Sequence, residues 1–288
     1  MKAKMLLFVC FVTGTLLHAQ NNTDISLLMA DDTAKSLREV VSASGDMYNR
    51  VWHHGPAVEN EWVGYRFFFN YSTSIDVYSK TRPGLELKKY KWYPSVQQQN
   101  SGAGVDMYKV GKTLGLGGVV LWDNGKIVYP DPVKKRIAKV GKGENTSWME
   151  MISVGVPYKG DTVDIKVKVT VFSGRRDALV EAEELNGRKV QFVTGINCHP
   201  GNKVIKKYDR IIVWGVHPED VAAHPAPMGA AIIYDPECFI KRMDDGNQIL
   251  LISKPVVRIH TRITSANSKE KELNNLKDFK KYVKKIKY

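Results

Sequence analysis

The sequence predicts an all-β protein of stacked antiparallel sheets in one domain, ending in an amphipathic helix. Three observations lead there. About a dozen short β-branched or aromatic runs are punctuated by Gly, Pro, Asn and Asp. Almost no helical period occurs before residue 268. After it, Leu273, Leu276, Phe279, Val283 and Ile286 recur at helical spacing with lysines opposite. At 288 residues, 43% hydrophobic and 10% aromatic, the chain can bury about three quarters of its unfolded surface, so a disordered chain is excluded. Its 23 glycines lack a period and its cysteines number only three, which excludes collagen-like and disulfide-dense classes.

Taken in order, Lys2 and Lys4 precede an uncharged stretch from Met5 to Leu17 and then His18-Ala19-Gln20. That describes a secretory signal peptide over residues 1–19, too short for a membrane span of about 20 apolar residues. Val9 before Cys10 does not make a lipoprotein site. The expected mature chain, 20–288, is therefore periplasmic or secreted, with no integral membrane segment. A strand is predicted at Ile25–Met29 and a short helix at Thr33–Val41. Strands follow at Glu61–Phe69, Ser74–Ser79, Val119–Trp122, Lys126–Tyr129, Trp148–Val156 and Thr162–Val171. In the last, five branched residues alternate with polar ones, giving one wet face. Ala178–Leu185, Val190–Gly195, Arg210–Trp214, Gly229–Ile233, Ile249–Ser253 and Pro255–Thr264 continue the series, and Asn186-Gly187 signals a hairpin. Residues 268–288 are expected to dock on a sheet by their apolar stripe, with a membrane-surface or polyanion-binding helix as the alternative.

The whole chain carries 43 basic and 30 acidic residues; without the leader, 41 against 30 leaves +11. Eight lysines and three acids lie from Lys269 onward. Such a balance suits an acidic partner. Nucleic acid is not expected of an exported protein. Cys198 and Cys238 can pair in an oxidising compartment, which would be worth roughly 3–4 kcal/mol; two unpaired thiols are the favoured alternative. No Cys/His spacing suggests a metal site.

Two segments read as more than scaffold. His53-His54 leads into Glu59, Glu61, Trp62, Tyr65 and Arg66. Were residues 59–69 one extended strand, Glu59, Glu61 and Tyr65 would share a face opposite Trp62 and Arg66. A structural ion pair of Arg66 with Asp76 is the plain alternative. The Gly-rich stretch 102–118 lacks a following helix, so its glycines serve bends and close backbone approach rather than a phosphate cradle. Within it Asp106, Tyr108 and Lys109 are polar candidates, preceded by Trp92-Tyr93-Pro94, whose flat faces suit sugar rings. His199, His217 and His224 lie in Pro-bearing loops and are either acid–base groups or surface residues. No Gly-x-Ser-x-Gly elbow supports a serine triad.

The string from Trp92-Tyr93-Pro94 through Gly104–Gly118 resembles the domain-of-unknown-function family numbered 4861. Gly55–Glu61, Tyr65-Arg66, Ile75-Asp76 with Lys80, and Gly174–Asp177 also carry the likeness. It spans roughly residues 25 to 285 and is densest from 52 to 122. The family consists of secreted Bacteroidetes proteins that tend to sit among genes for pectin and other uronic-acid glycan breakdown. The resemblance implies a galactose-mutarotase-like β-supersandwich, whose concave face binds sugar. The expected function is acid–base chemistry on a uronic-acid-containing, pectin-type saccharide, as lyase, mutarotase/epimerase or hydrolase. A non-catalytic glycan-binding module is the alternative. His54, Glu59, Glu61, Tyr108 and His199 are the candidates for proton transfer. His53, Tyr65, Arg66, Asp76, Trp92, Tyr93, Asp106 and Lys109 are the candidates for substrate contact. No cofactor and no metal are expected, and the oligomeric state is open.

Overall fold

A computed structural model describes residues 21–90, 93–218 and 221–288. The predicted leader and Trp92 lie outside the described residues. The strands, in chain order, are β1 (Thr23–Ser26), β2 (Glu39–Ser42), β3 (Ala57–Asn60), β4 (Val63–Phe67), β5 (Ile75–Ser79), β6 (Val105–Asp106), β7 (Val119–Asp123), β8 (Lys126–Val128), β9 (Lys135–Lys142) and β10 (Thr146–Tyr158). They continue with β11 (Asp161–Phe172), β12 (Asp177–Glu184), β13 (Val190–Asn197), β14 (Lys203–Lys206), β15 (Arg210–Gly215), β16 (Met228–Tyr234), β17 (Phe239–Asp244), β18 (Gln248–Val256) and β19 (Arg258–Asn267). Two α-helices accompany them, α1 (Val96–Asn100) and α2 (Leu276–Val283).

Every strand pair is antiparallel. One sheet has nine strands in the order β14-β15-β16-β19-β12-β11-β10-β9-β2. Two five-stranded sheets, β1-β3-β4-β5-β6 and β17-β18-β13-β7-β8, pack on it. Their inner faces share one core, in which Val58, Tyr65, Val167, Val180, Phe192 and Ile249 are all buried. A loop sews the two small sheets together. Leu116 N donates to Ile75 O at 2.9 Å, and Gly117 N to Gly195 O at 2.8 Å. Gly115 permits this, with φ +74° and a position at which a Cβ would stand 1.9 Å from Ile75 O. These glycines thus serve close backbone approach.

Helix α2 follows its 3.6-residue stripe. Asn275 caps it by accepting from Asp278 N at 3.0 Å. Phe279, Val283 and Ile286 are buried with Trp214, Ile212 and Ile233 of the nine-stranded sheet.

Three local expectations need correction. Thr33–Val41 is not helical: its end is the edge strand β2, in which Val40 is buried and Val41 exposed. So short a segment gains little from helix propensity, whereas two β-branched residues pair well with β9. The run Glu61–Phe69 is not one strand. Asn60 Oδ1 accepts from Trp62 N at 3.0 Å and Val63 N at 3.1 Å, folding the chain into a hairpin. Glu59 therefore faces the same side as Arg66, and Tyr65 the other. Asn186-Gly187 does make a turn, but no hairpin, because β12 and β13 belong to different sheets. The edge strands β14 and β17, and β9, were not anticipated. In β9 lysines obscure an inward row of Arg136, Ala138 and Val140. Cys198 and Cys238 are free thiols.

Candidate functional site

The outer face of the first small sheet is ionic. Register places Ala57 opposite Arg66 and Arg66 opposite Asp76, with Asp106 next to Tyr78 on the neighbouring strand. Arg66 Nη2 donates to Asp76 Oδ2, and to Asp106 Oδ2 at 2.6 Å. The guanidinium has no exposed surface, and its Nε and Nη1 have no hydrogen-bond partner among the described residues. Although burial opposes the charge, the two carboxylates raise the Arg66 pKa above its ordinary value. The plain ion-pair reading of Arg66 with Asp76 thus describes its contacts.

Farther along the hairpin a second ionic cluster is closed on itself. Glu59 accepts from Glu86 N at 2.9 Å, Leu87 N at 2.9 Å and Lys80 Nζ. Lys80 Nζ also donates to Asn60 O and Gly84 O, each at 2.6 Å. This pair clamps the 80–87 loop over the sheet. Glu61 stands at the hairpin turn, away from His54, accepting from Gly174 N at 3.0 Å. Tyr65 points into the core, where burial pushes its phenol well above the ordinary value.

At the other end of the hairpin, His53 and His54 both occupy the left-handed region, with φ 58° and 63°. Such residues are costly outside glycine and persist only where surroundings hold them. Here Gly55 lets the chain run so close to β4 that a Cβ would stand 2.1 Å from Phe67 O. His53 Nε2 meets Leu87 O at 3.1 Å. His54 Nδ1 lies 3.1 Å from Tyr48 O, and Nε2 lies 2.8 Å from the Tyr93 hydroxyl. A carbonyl only accepts, so neutral His54 carries its proton on Nδ1 and presents bare Nε2 to the Tyr93 O–H. The Tyr48 ring stacks on His54, centroids 3.9 Å apart. Arg66 lies 5.7 Å from the Tyr93 ring centroid. Burial, opposed by Arg66, raises the Tyr93 phenol above its ordinary value. Burial and Arg66 together depress His53 to about 3, so it is neutral near pH 7.

From Asp106 the polar face continues. Asp106 Oδ1 accepts from Tyr108 N at 3.3 Å. The next peptide is gripped from two sides. Lys109 N donates to His217 Nδ1 at 3.1 Å, while Lys109 O accepts from Asn197 Nδ2 at 2.6 Å and His199 Nε2 at 3.2 Å. The imidazoles of His199 and His217 meet edge to face, centroids 4.5 Å apart. Burial, then the neighbouring His199, brings His217 down to about 3; burial also lowers His199. The Tyr108 hydroxyl accepts from Asn197 N at 3.1 Å, and burial raises its pKa.

The structure therefore joins His54, Arg66, Asp76, Tyr93, Asp106, Tyr108, Lys109 and His199 in one chain of contacts, while the His53 ring turns to Leu87 O beside it. Glu59, Glu61 and Tyr65 stand outside it. Tyr48 and Asn197, which sequence reasoning passed over, hold it in place. Tyr48 acts through a backbone carbonyl that any residue would supply, so only its ring carried a signal. Among the described residues no cluster of three or more His, Cys, Asp or Glu forms a metal site, and no helix is long and apolar enough to cross a membrane.

Fold and site together define an antiparallel β protein with one linked chain of ionisable groups on a face of a small sheet and the loops beside it. Residues 16–288 match the family described as Domain of unknown function (DUF4861), and the chain belongs to that family. No curated protein matches it. Among solved structures it is distantly similar to a mutant heparan sulfate lyase from Pedobacter heparinus, at 10% identity and TM-score 0.39, over 74% of this chain and 33% of that one. The chain thus spans about a third of that lyase's length. A putative aldose 1-epimerase from Klebsiella pneumoniae is 9% identical with TM-score 0.38, over 85% of this chain and 91% of the other. A 4-alpha-glucanotransferase from Thermococcus litoralis is 10% identical with TM-score 0.35, over 75% and 40%.

Proposed function

We propose that this chain is an exported carbohydrate-active protein that acts on uronic-acid-containing, pectin-type oligosaccharides by proton transfer, with elimination as the reaction. The observation that carries this reading is the Tyr93–His54 pair: a phenolic O–H donating to a bare imidazole nitrogen, on backbone held in the left-handed region. In the proposed step a cation meets the substrate carboxylate and acidifies the adjoining C–H. Tyr93 oxygen takes that proton as its own passes to His54 Nε2. The C–H electron pair becomes the new double bond, the glycosidic C–O bond breaks, and the departing oxygen takes a proton from Tyr93, which His54 Nε2 replaces with the one it received. Lys109, half-exposed on its clamped peptide, is assigned to the carboxylate. Arg66 is a positioning residue, since Asp76 and Asp106 already neutralise it. Hydrolysis is less well supported, because two carboxyl groups must flank the scissile bond, whereas Asp76 and Asp106 converge on one buried nitrogen.

The test is a proton NMR time course of the protein with pectin-derived oligosaccharides, alongside Tyr93→Phe and His54→Gln. New vinyl signals that fall at least a hundredfold in rate in both variants support the reading. Reducing-end signals without vinyl signals would overturn elimination. Line broadening without product would show a glycan-binding module instead.

A further inference from the structure

We infer that a second site, at the turn end of the β3–β4 hairpin, binds a single carboxylate-bearing sugar residue. A cavity of about 200 Å3 lies there between the hairpin turn, the 80–83 loop and the 270–272 segment. Drug-sized ligands need about 300 Å3 or more, so this space suits one ring. Its lining is mostly carbon. Trp62 and Pro83 contribute ring faces, and Lys80, whose Nζ is turned away to Glu59, contributes only its stem. Flat apolar rings beside polar groups are what the C–H face and hydroxyls of a pyranose require.

One side of the cavity is pre-set. Arg176 covers one face of the Trp62 ring, 5.1 Å from its centroid, leaving the other face to a ligand, and donates to buried Glu270 at 2.5 Å and to exposed Glu272 at 3.4 Å. Glu270 Oε1 in turn accepts from Asn267 N at 3.0 Å. Neither member need move when a ligand enters, which lowers the ordering cost. At the mouth stand Arg82 and Lys271, both exposed and without an ion-pair partner among the described residues. The exposed carboxylate of Glu272 also lines the cavity, but it faces Arg176 at 3.4 Å, so with Arg82 and Lys271 the rim keeps a net positive charge that favours an anionic sugar over a neutral one. The choice of a uronate rests on the function proposed above, but the cavity shares no residue with Tyr93 and His54.

Calorimetric titration of the full chain with D-galacturonate, D-galactose and acetate tests this. Galacturonate is expected to bind, with galactose and acetate each at least tenfold weaker. Reversing the two exposed cations, Arg82→Glu with Lys271→Glu, is expected to weaken galacturonate at least tenfold while the melting temperature holds. Formation of vinyl products from oligosaccharides is expected to persist in the Arg82→Glu, Lys271→Glu variant, whose positions lie outside the Tyr93–His54 site, so failure here and failure of the proton-transfer reading are told apart. No galacturonate binding, an unchanged affinity in the double variant, or acetate binding as tightly as galacturonate would each overturn the inference.

Discussion

Arg66 and Asp106 meet at 2.6 Å with the guanidinium wholly withdrawn from water. Removing one side of a buried pair leaves the other charge uncompensated, which typically costs 3–5 kcal/mol. Arg66→Met removes the guanidinium that Asp76 and Asp106 share. We expect urea denaturation to show a loss of about 3–5 kcal/mol. A loss under about 1 kcal/mol would mean that Arg66 is not a structural ion-pair member.

Acid sensitivity follows from the two histidines buried neutral. His53 and His217 titrate at about 3 in the folded protein, against an ordinary value of 6.5. Above pH 6.5 both states are neutral and nothing is lost. As pH falls below 6.5 the unfolded chain takes up protons that the folded chain refuses, so stability declines toward pH 3. Each histidine contributes on the order of a few kcal/mol to that decline. His217→Asn keeps an acceptor for Lys109 N and removes one titration, so its stability should fall less steeply between pH 6.5 and 4. Parallel profiles for the two proteins would rule out His217 as a source.

The terminal helix is anchored by one ring. Phe279 is fully buried, and its centroid lies 5.8 Å from that of Trp214. Gly229 leaves room for both, since a Cβ there would stand 2.6 Å from each. Phe279→Ala should cost about 3–5 kcal/mol by thermal or chemical melting. Unchanged melting would show that residues 268–288 are not part of the cooperative unit.

Gly115→Ala should destabilise by more than the ordinary cost of about 1 kcal/mol for a left-handed residue, because the added carbon collides with Ile75 O. Chemical denaturation measures it, and native stability in that variant would mean that the 113–118 loop can be unpicked without harm.

How much of this was legible in the residues depends on what each residue faces. In β11 inward valines alternate with outward polar groups, so a period of two is visible. In β9 the buried row includes Arg136, which donates to Gly45 O and Pro130 O, and a buried arginine among surface lysines looks like a wet strand or a loop. The Asn60 turn was missed because its signal is one side-chain carbonyl, and that one turn moved Glu59 from Tyr65's face to Arg66's. His54, Arg66, Asp106, Tyr93 and Lys109 were legible as candidates because charged and aromatic residues interleave there. Their grouping was not, since it depends on strand pairing and on backbone carbonyls such as Tyr48 O. Cys198 and Cys238 remained ambiguous in sequence because nothing local records the distance between two chain segments.

The Lys109 peptide is held at both its N–H and its C=O by side chains from β13 and two loops. These bonds belong to the backbone, which every residue but proline supplies. A substitution at position 109 therefore keeps the bracket's donor and acceptor in place whatever head is mounted on it. Were that head to meet the substrate as proposed, charge and length there could change in one step without unpicking the mount.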